Sequence, residues 1–207
     1  LTIKELRNTV ERKRGQKERI ESDLQAIDAR LQQSEQKLSD HEKAREVIRE
    51  VGLKTQQELS YNISEITSMA LDGVFDDPYE LLVEFVQRRN KTECDLWFKR
   101  DGEKIYPLYA GGGALDVAAF ALRVASWSMQ QPRTRNVLIG DESFKHLKGE
   151  EANRRVLEMV REVAEKMNLQ IILISDERVS REAIMDNTDR LFEVSIENGV
   201  SNVETLK

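Results

Sequence analysis

YAGGGALDVAAFALRVA, residues 109–125, places three consecutive glycines directly against an alanine-rich apolar segment. From Ala114 to Met129 the residues are apolar almost all the way round, so they read as a helix buried in a core. Glycines at its start have two physical uses. They allow a tight turn that other residues resist. They also let a negatively charged ligand approach the free N–H groups and positive dipole end of the helix. Which use applies depends on what surrounds the turn.

Downstream, NVLIG (136–140) is a short apolar strand ending in Asp141-Glu142, EEANRRVLEMVREVAEKM (150–167) is an amphipathic helix, and LQIILIS (169–175) is a second strand. Both strands are expected to be buried, because strand–helix–strand order implies a parallel sheet under helices. A short helix at 181–187 and strands near 190–196 and 202–206 complete the chain. Upstream, 79–87, 93–99 and 103–108 read as an antiparallel meander, with Asp101-Gly102 as a hairpin signal. Asp76-Asp77-Pro78 closes a helix over 59–71, and Trp97 and Trp127 are expected to pack in the core.

The first fifty residues are of another kind. Ile3, Leu6, Val10, Lys13, Lys17, Ile20, Leu24, Ile27, Leu31, Ser34, Leu38, His41, Arg45 and Ile48 alternate in steps of three and four, a heptad seam with polar breaks. Such a helix, roughly 70 Å long at 1.5 Å per residue, cannot bury its stripe alone and needs a partner helix. The partner is a second copy or another segment. The basic run around Arg12, Lys13, Arg14, Lys17 and Arg19 reads as a solvated face, with nucleic-acid contact as the alternative. The expected organisation is a coiled-coil arm over 1–52 and an α/β lobe over 53–207. The lobe divides into a helix with antiparallel hairpins (53–108) and the glycine-led helix with its sheet (109–207).

Composition narrows the function. Among 207 residues the formal net charge is −6, which argues against a protein that coats DNA generally. Cys94 is the only cysteine and His41 and His146 the only histidines, so no thiolate or histidine metal cluster is available. No apolar run approaches the ~20 residues that span a bilayer, and no signal peptide opens the chain. The expectation is a cytoplasmic protein with no membrane partner.

An acid pair at the carboxyl end of a parallel strand lies where ligands of such sheets collect. An Asp there suits a magnesium ion, and a neighbouring Glu suits an attacking water; an acidic strand end leading into a loop is the plainer alternative. The order AGGGALDVAAFALRVA, NVLIGDESFKHL, LQIILISDE resembles the C-terminal part of ABC-type ATPase heads, in particular the SMC, SbcC and RecN-like proteins of DNA repair and chromosome maintenance. Short phage-type proteins of that group look similar too, including a stretch like Phe75-Asp-Asp-Pro-Tyr-Glu80. The resemblance covers roughly residues 105–205. It implies a partial head lobe with a coiled-coil arm, signature glycines at Gly112 and Gly113 that with Gly111 before them act in trans on nucleotide, Asp141 as the Walker B magnesium ligand and Glu142 as the catalytic glutamate.

The departures from that pattern are as informative. None of the ten glycines is followed by lysine, so the phosphate-gripping GxxxxGK[ST] loop is absent from these residues. Gly111 stands where the signature serine belongs, Gly140 at the last apolar Walker B position, Ser143 for a proline, Lys148 at the D-loop aspartate and Asp176 at the switch histidine. Phosphoryl transfer is chiefly positioning and charge neutralisation, so the chain alone is expected to be inactive toward ATP. Two readings follow. One is the C-terminal half of a coiled-coil ATPase of DNA recombination or repair, using magnesium and ATP only beside a Walker A-bearing half, with a nuclease subunit or DNA as further partners. The other is a dimeric scaffold or DNA-associated adaptor without nucleotide chemistry.

Overall fold

The structure is a computed structural model and describes residues 2–89, 91–175 and 179–207. The chain separates into two compact units, Leu1–Thr55 and Gln56–Lys207.

The first unit is helical, part of a helix α1 that runs from Ile3 to Val74 without interruption. No proline breaks it, and the seam residues Leu6, Ile20, Leu24, Ile27, Leu31 and Leu38 are all exposed. Along the polar faces, Arg14–Glu18 and Lys17–Glu21 form ion pairs one turn apart, of the kind that adds only tenths of a kcal/mol each, ~0.2–0.5.

The second unit opens with the last turns of α1, which bury Thr67, Leu71 and Val74. Strand β1 (Glu80–Arg88) alternates in burial, with Leu81 and Val83 inward. Two serines fasten it to α1. Ser68 Oγ accepts from the Leu81 N–H at 2.8 Å, and Ser60 Oγ donates to the Val83 carbonyl at 2.6 Å. β1 pairs antiparallel with β2 (Lys91–Arg100), and β2 pairs with β3 (Glu103–Ile105). The meander is as expected, except that β3 stops at Ile105. Pro107 has no N–H for the ladder and instead opens a 3-10 turn over Pro107–Tyr109. Phe98 is fully buried in this sheet and stacks on Tyr79 at 5.3 Å. Trp97 is only half-buried, against expectation, and meets Tyr106 edge-on at 5.9 Å.

Helix α2 (Gly112–Met129) begins two residues before Ala114, so Gly112 and Gly113 form its first turn. A first turn needs no intrahelical N–H partner and tolerates glycine more readily than the interior does. Trp127 is buried as expected, its Nε1–H donating to the Arg135 carbonyl at 3.3 Å. Strands β4 (Val137–Asp141) and β5 (Gln170–Ile174) pair in parallel, Val137 opposite Gln170 through Asp141 opposite Ile174, with helix α3 (Glu150–Met167) as the crossover. Helix α3 follows the macrodipole, with Glu150 and Glu151 in its first turn and Lys166 in its last. It ends at Asn168 in the left-handed region, φ 49°. Helix α4 (Arg181–Asn187) is capped by Ser180, and β6 (Phe192–Glu197) and β7 (Val200–Thr205) form a separate antiparallel hairpin.

Burial of the parallel strands departs from expectation. Leu138, Ile171 and Leu173 face inward against Phe120, Val124 and Val160 of α2 and α3. On the other face Ile139 is 67% exposed, Ile172 45% and Ile174 56%. Continuous apolar runs such as VLI and IILI signal a strand covered on both faces. Here α2 and α3 cover one face, and the other has no second layer among the described residues.

Candidate functional site

The site is built at the corner where α2 starts and β4 ends. After the 3-10 turn, Gly111 takes φ 98° and ψ 147°, a conformation that side chains rarely adopt, and serves as the N-terminal cap of α2. The next two glycines have another reason to be glycine. A Cβ on Gly112 would lie 2.5 Å from the Cβ of His146, and one on Gly113 would lie 3.1 Å from Leu147 Cδ1. Around Gly111 a Cβ would meet open space. Of the three, Gly111 alone faces outward, while Gly112 and Gly113 let α2 press against the loop that follows the acid pair.

That loop is a tight turn. Asp141 is the last residue of β4, and Glu142 follows at φ 45°, its N–H donating to the Ile174 carbonyl at 3.1 Å. The Lys145 N–H returns to the Glu142 carbonyl at 3.2 Å and the Leu147 N–H to the Phe144 carbonyl at 3.0 Å. Phe144 packs on Phe120 at 5.3 Å, and Leu147 is buried. Asp116, one turn into α2, accepts the His146 N–H at 2.8 Å and lies 3.2 Å from its ring Nδ1. The Asp116 carboxylate is 15% exposed and the His146 side chain 54%, and the ionised acceptor makes the bond charge-assisted. Gly140 has its own steric reason. A Cβ there would lie 2.3 Å from Ser143 Oγ and 2.8 Å from Leu173 Cδ2. The apolar residue expected at the end of such a strand is excluded because Ser143 folds back into its place.

Glycine corner and acid pair are therefore brought close, because the 142–147 turn that follows the acids packs against Gly112 and Gly113 of the covering helix. Asp141 and Glu142 are exposed and make no side-chain hydrogen bond or ion pair among the described residues. Two free carboxylates suit a magnesium ion that takes its other ligands from phosphate and water, and Asp141 fits as one ligand. No cluster of three or more acid, histidine or cysteine residues suited to a metal occurs among the described residues. Lys148 is exposed just beyond the turn. Asp176 lies outside the described residues. Arg123 is exposed and forms no ion pair among the described residues.

Sequence reasoning passed over Asp116. The signal was there, a lone acid in the first turns of an otherwise apolar helix, but its partner lies thirty residues away. His146 is partly taken up by this contact, its side chain 54% exposed.

Comparison with solved structures bears on the arrangement. The chain superposes on an SMC ATPase from a study of ATP-driven dimerization and DNA-stimulated activation, with a TM-score of 0.56, 23% identity, 76% of this chain and 89% of that one. It has an SMC ATPase head fold. The Smc head bound to the C-winged helix domain of ScpA gives a TM-score of 0.57 at 23% identity over 76% of this chain and 45% of that one. The Pyrococcus furiosus Smc head with an extended coiled coil, bound to the C-terminal domain of ScpA, gives 0.56 at 22% identity over 74% of this chain and 36% of that one. The chain thus spans less than half of these last two heads. No family model matches the sequence, and no curated protein does. No helix among the described residues is long and apolar enough to cross a membrane.

Proposed function

We propose that the chain is the C-terminal half of an SMC-like coiled-coil ATPase head acting in DNA recombination or repair, idle on its own and completed by a Walker A-bearing half. The observation that carries this reading is the joining of the glycine corner to Asp141-Glu142 through the 142–147 turn, on an SMC head fold. In it, Asp141 would ligate magnesium, which would supply neutralisation of phosphate charge, and the Glu142 carboxylate would orient and polarise the attacking water. Gly111 presents backbone toward a nucleotide held by another chain. The bare Val137/Ile139/Ile172/Ile174 face supports the reading as well, being a parallel sheet that lacks one covering layer.

The test is reconstitution with a Walker A-bearing head half, sought in the coding sequence beside this chain. ATP turnover should appear only in the mixture and fall at least about a hundredfold with Glu142→Gln, as expected on loss of a positioned general base. Undiminished turnover in that variant would remove the catalytic role from Glu142.

A second reading, a dimeric scaffold or DNA-associated adaptor without nucleotide chemistry, is favoured by the use of Gly112 and Gly113 for packing and by Gly111 and Lys148 at the degenerate positions. It expects calorimetry of the isolated chain with magnesium-ATP to stay flat, and mixtures with Walker A-bearing halves to stay inactive.

A further inference from the structure

Glu142 occupies a backbone conformation in which it has to be held. Its φ of 45° lies in the left-handed region, where a Cβ crowds the following carbonyl oxygen. A residue other than glycine stays there only when its surroundings over-determine the geometry. At one end of the turn, the Glu142 N–H donates to the Ile174 carbonyl of β5 at 3.1 Å. Within the turn, the Glu142 carbonyl accepts from the Lys145 N–H at 3.2 Å. At the other end, the His146 N–H donates to Asp116 Oδ2 at 2.8 Å, with both Asp116 oxygens 3.2 Å from the ring Nδ1.

Asp116 comes from another element, α2, and no backbone rule requires it there. An acid serving only the helix dipole could point to solvent, but this carboxylate is turned inward and is 15% exposed. Phe144 on Phe120 and Leu147 against Gly113 also press the turn onto α2. Apolar contact is non-directional, so these allow the turn to slide. A hydrogen bond to one N–H has a preferred direction and fixes where along α2 the turn sits.

We propose that Asp116 is a positioning residue for Glu142. By holding the His146 N–H it keeps the 142–147 turn, and through it the Glu142 carboxylate, in a fixed relation to the Gly111 corner. The Glu142 side chain is exposed, so the backbone beneath it governs where its carboxylate stands. Displacing a reacting group by ~1 Å costs on the order of a hundredfold in rate. The catalytic consequence rests on the ATPase reading above, whereas the hold on the turn rests on geometry alone.

The test has two arms. In the isolated full chain, amide hydrogen exchange is followed by NMR. Asp116→Ala should speed exchange of the Glu142, Lys145, His146 and Leu147 N–H groups by about tenfold or more, the worth of one hydrogen bond to a charged group. The amides of β1 and β2 should change less. Asp116→Asn keeps an oxygen for the His146 N–H and should restore most of the protection. In the mixture with a Walker A-bearing half, Asp116→Ala should lower kcat by about tenfold or more at unchanged KM, and Asp116→Asn should recover most of that loss. Added to Glu142→Gln, Asp116→Ala should cost little more, because both act on one group. Unchanged exchange over 142–147, or faster exchange spread evenly over the lobe, overturns the proposal. So does an unchanged kcat, or a loss that multiplies with that of Glu142→Gln. A wild-type mixture without turnover fails in a different place: it removes the ATPase reading, and the catalytic role of Asp116 falls with it.

Discussion

Gly112→Ala is the most direct way to separate the two uses of the glycine corner. The new methyl would lie 2.5 Å from His146 Cβ and 2.7 Å from its Cγ, and a β-carbon is not the free end of a flexible side chain. Either α2 or the 144–147 turn must shift. Such overpacking costs about 1–3 kcal/mol, and any shift also loosens the bond from the His146 N–H to Asp116. Replacing glycine by alanine in a helix returns up to ~1 kcal/mol, less in the first turn. The net expectation is a loss of about 1–2 kcal/mol, read as a lower urea midpoint by Trp97 and Trp127 fluorescence with an unchanged slope. His146→Gly removes the clashing atom, so the double variant should recover most of the loss, with a coupling of about 1–2 kcal/mol. His146→Ala keeps the Cβ and should not rescue. Wild-type stability in Gly112→Ala, or no recovery in the double variant, would refute the packing account and leave ligand approach as the reason for glycine here.

Other expectations follow from the same geometry. Gly140→Ala, with its methyl between Ser143 Oγ and Leu173 Cδ2, should cost about 1–3 kcal/mol, and Ser143→Ala should relieve only part of it, as measured by thermal melting. Phe98→Ala, at a fully buried site, should cost about 3–5 kcal/mol and lower the denaturation midpoint more than any surface change. Glu151 is held below the usual carboxylate range by hydrogen bonds from Arg154 and Arg155. Its contribution is therefore full above the usual carboxylate range and lost as pH falls through the lowered value. The stability difference between wild type and Glu151→Gln should shrink on acidification and stay flat between pH 6 and 8; a difference that grows on acidification would contradict the assignment.

Much of the lobe was legible in the residues because its signals are local. The apolar run after Gly113, the amphipathic repeat of 150–167, the Asp101-Gly102 turn and the uninterrupted heptads each act within a few residues of themselves. The element order that places Asp141-Glu142 at a strand end follows from them, and so does the likeness to an ATPase head. Boundaries slipped where a neighbour intervened, as at Pro107, which cut β3 short and started a 3-10 turn. Asp116 was missed because its significance depends on His146, and nothing in the local pattern of either residue refers to the other.

What the sequence determined by itself is the inventory of elements and the chemistry available at the strand end, because periodicity and backbone preference depend on adjacent residues. Tertiary structure decided which use each glycine serves, since a missing Cβ acquires meaning only from the atom that occupies its place. It also decided that β4 and β5 are covered on one face and bare on the other. Hydrophobicity records a strand's preference for cover, but the cover must come from another layer, and two helices on one side of a two-stranded sheet supply only half of it.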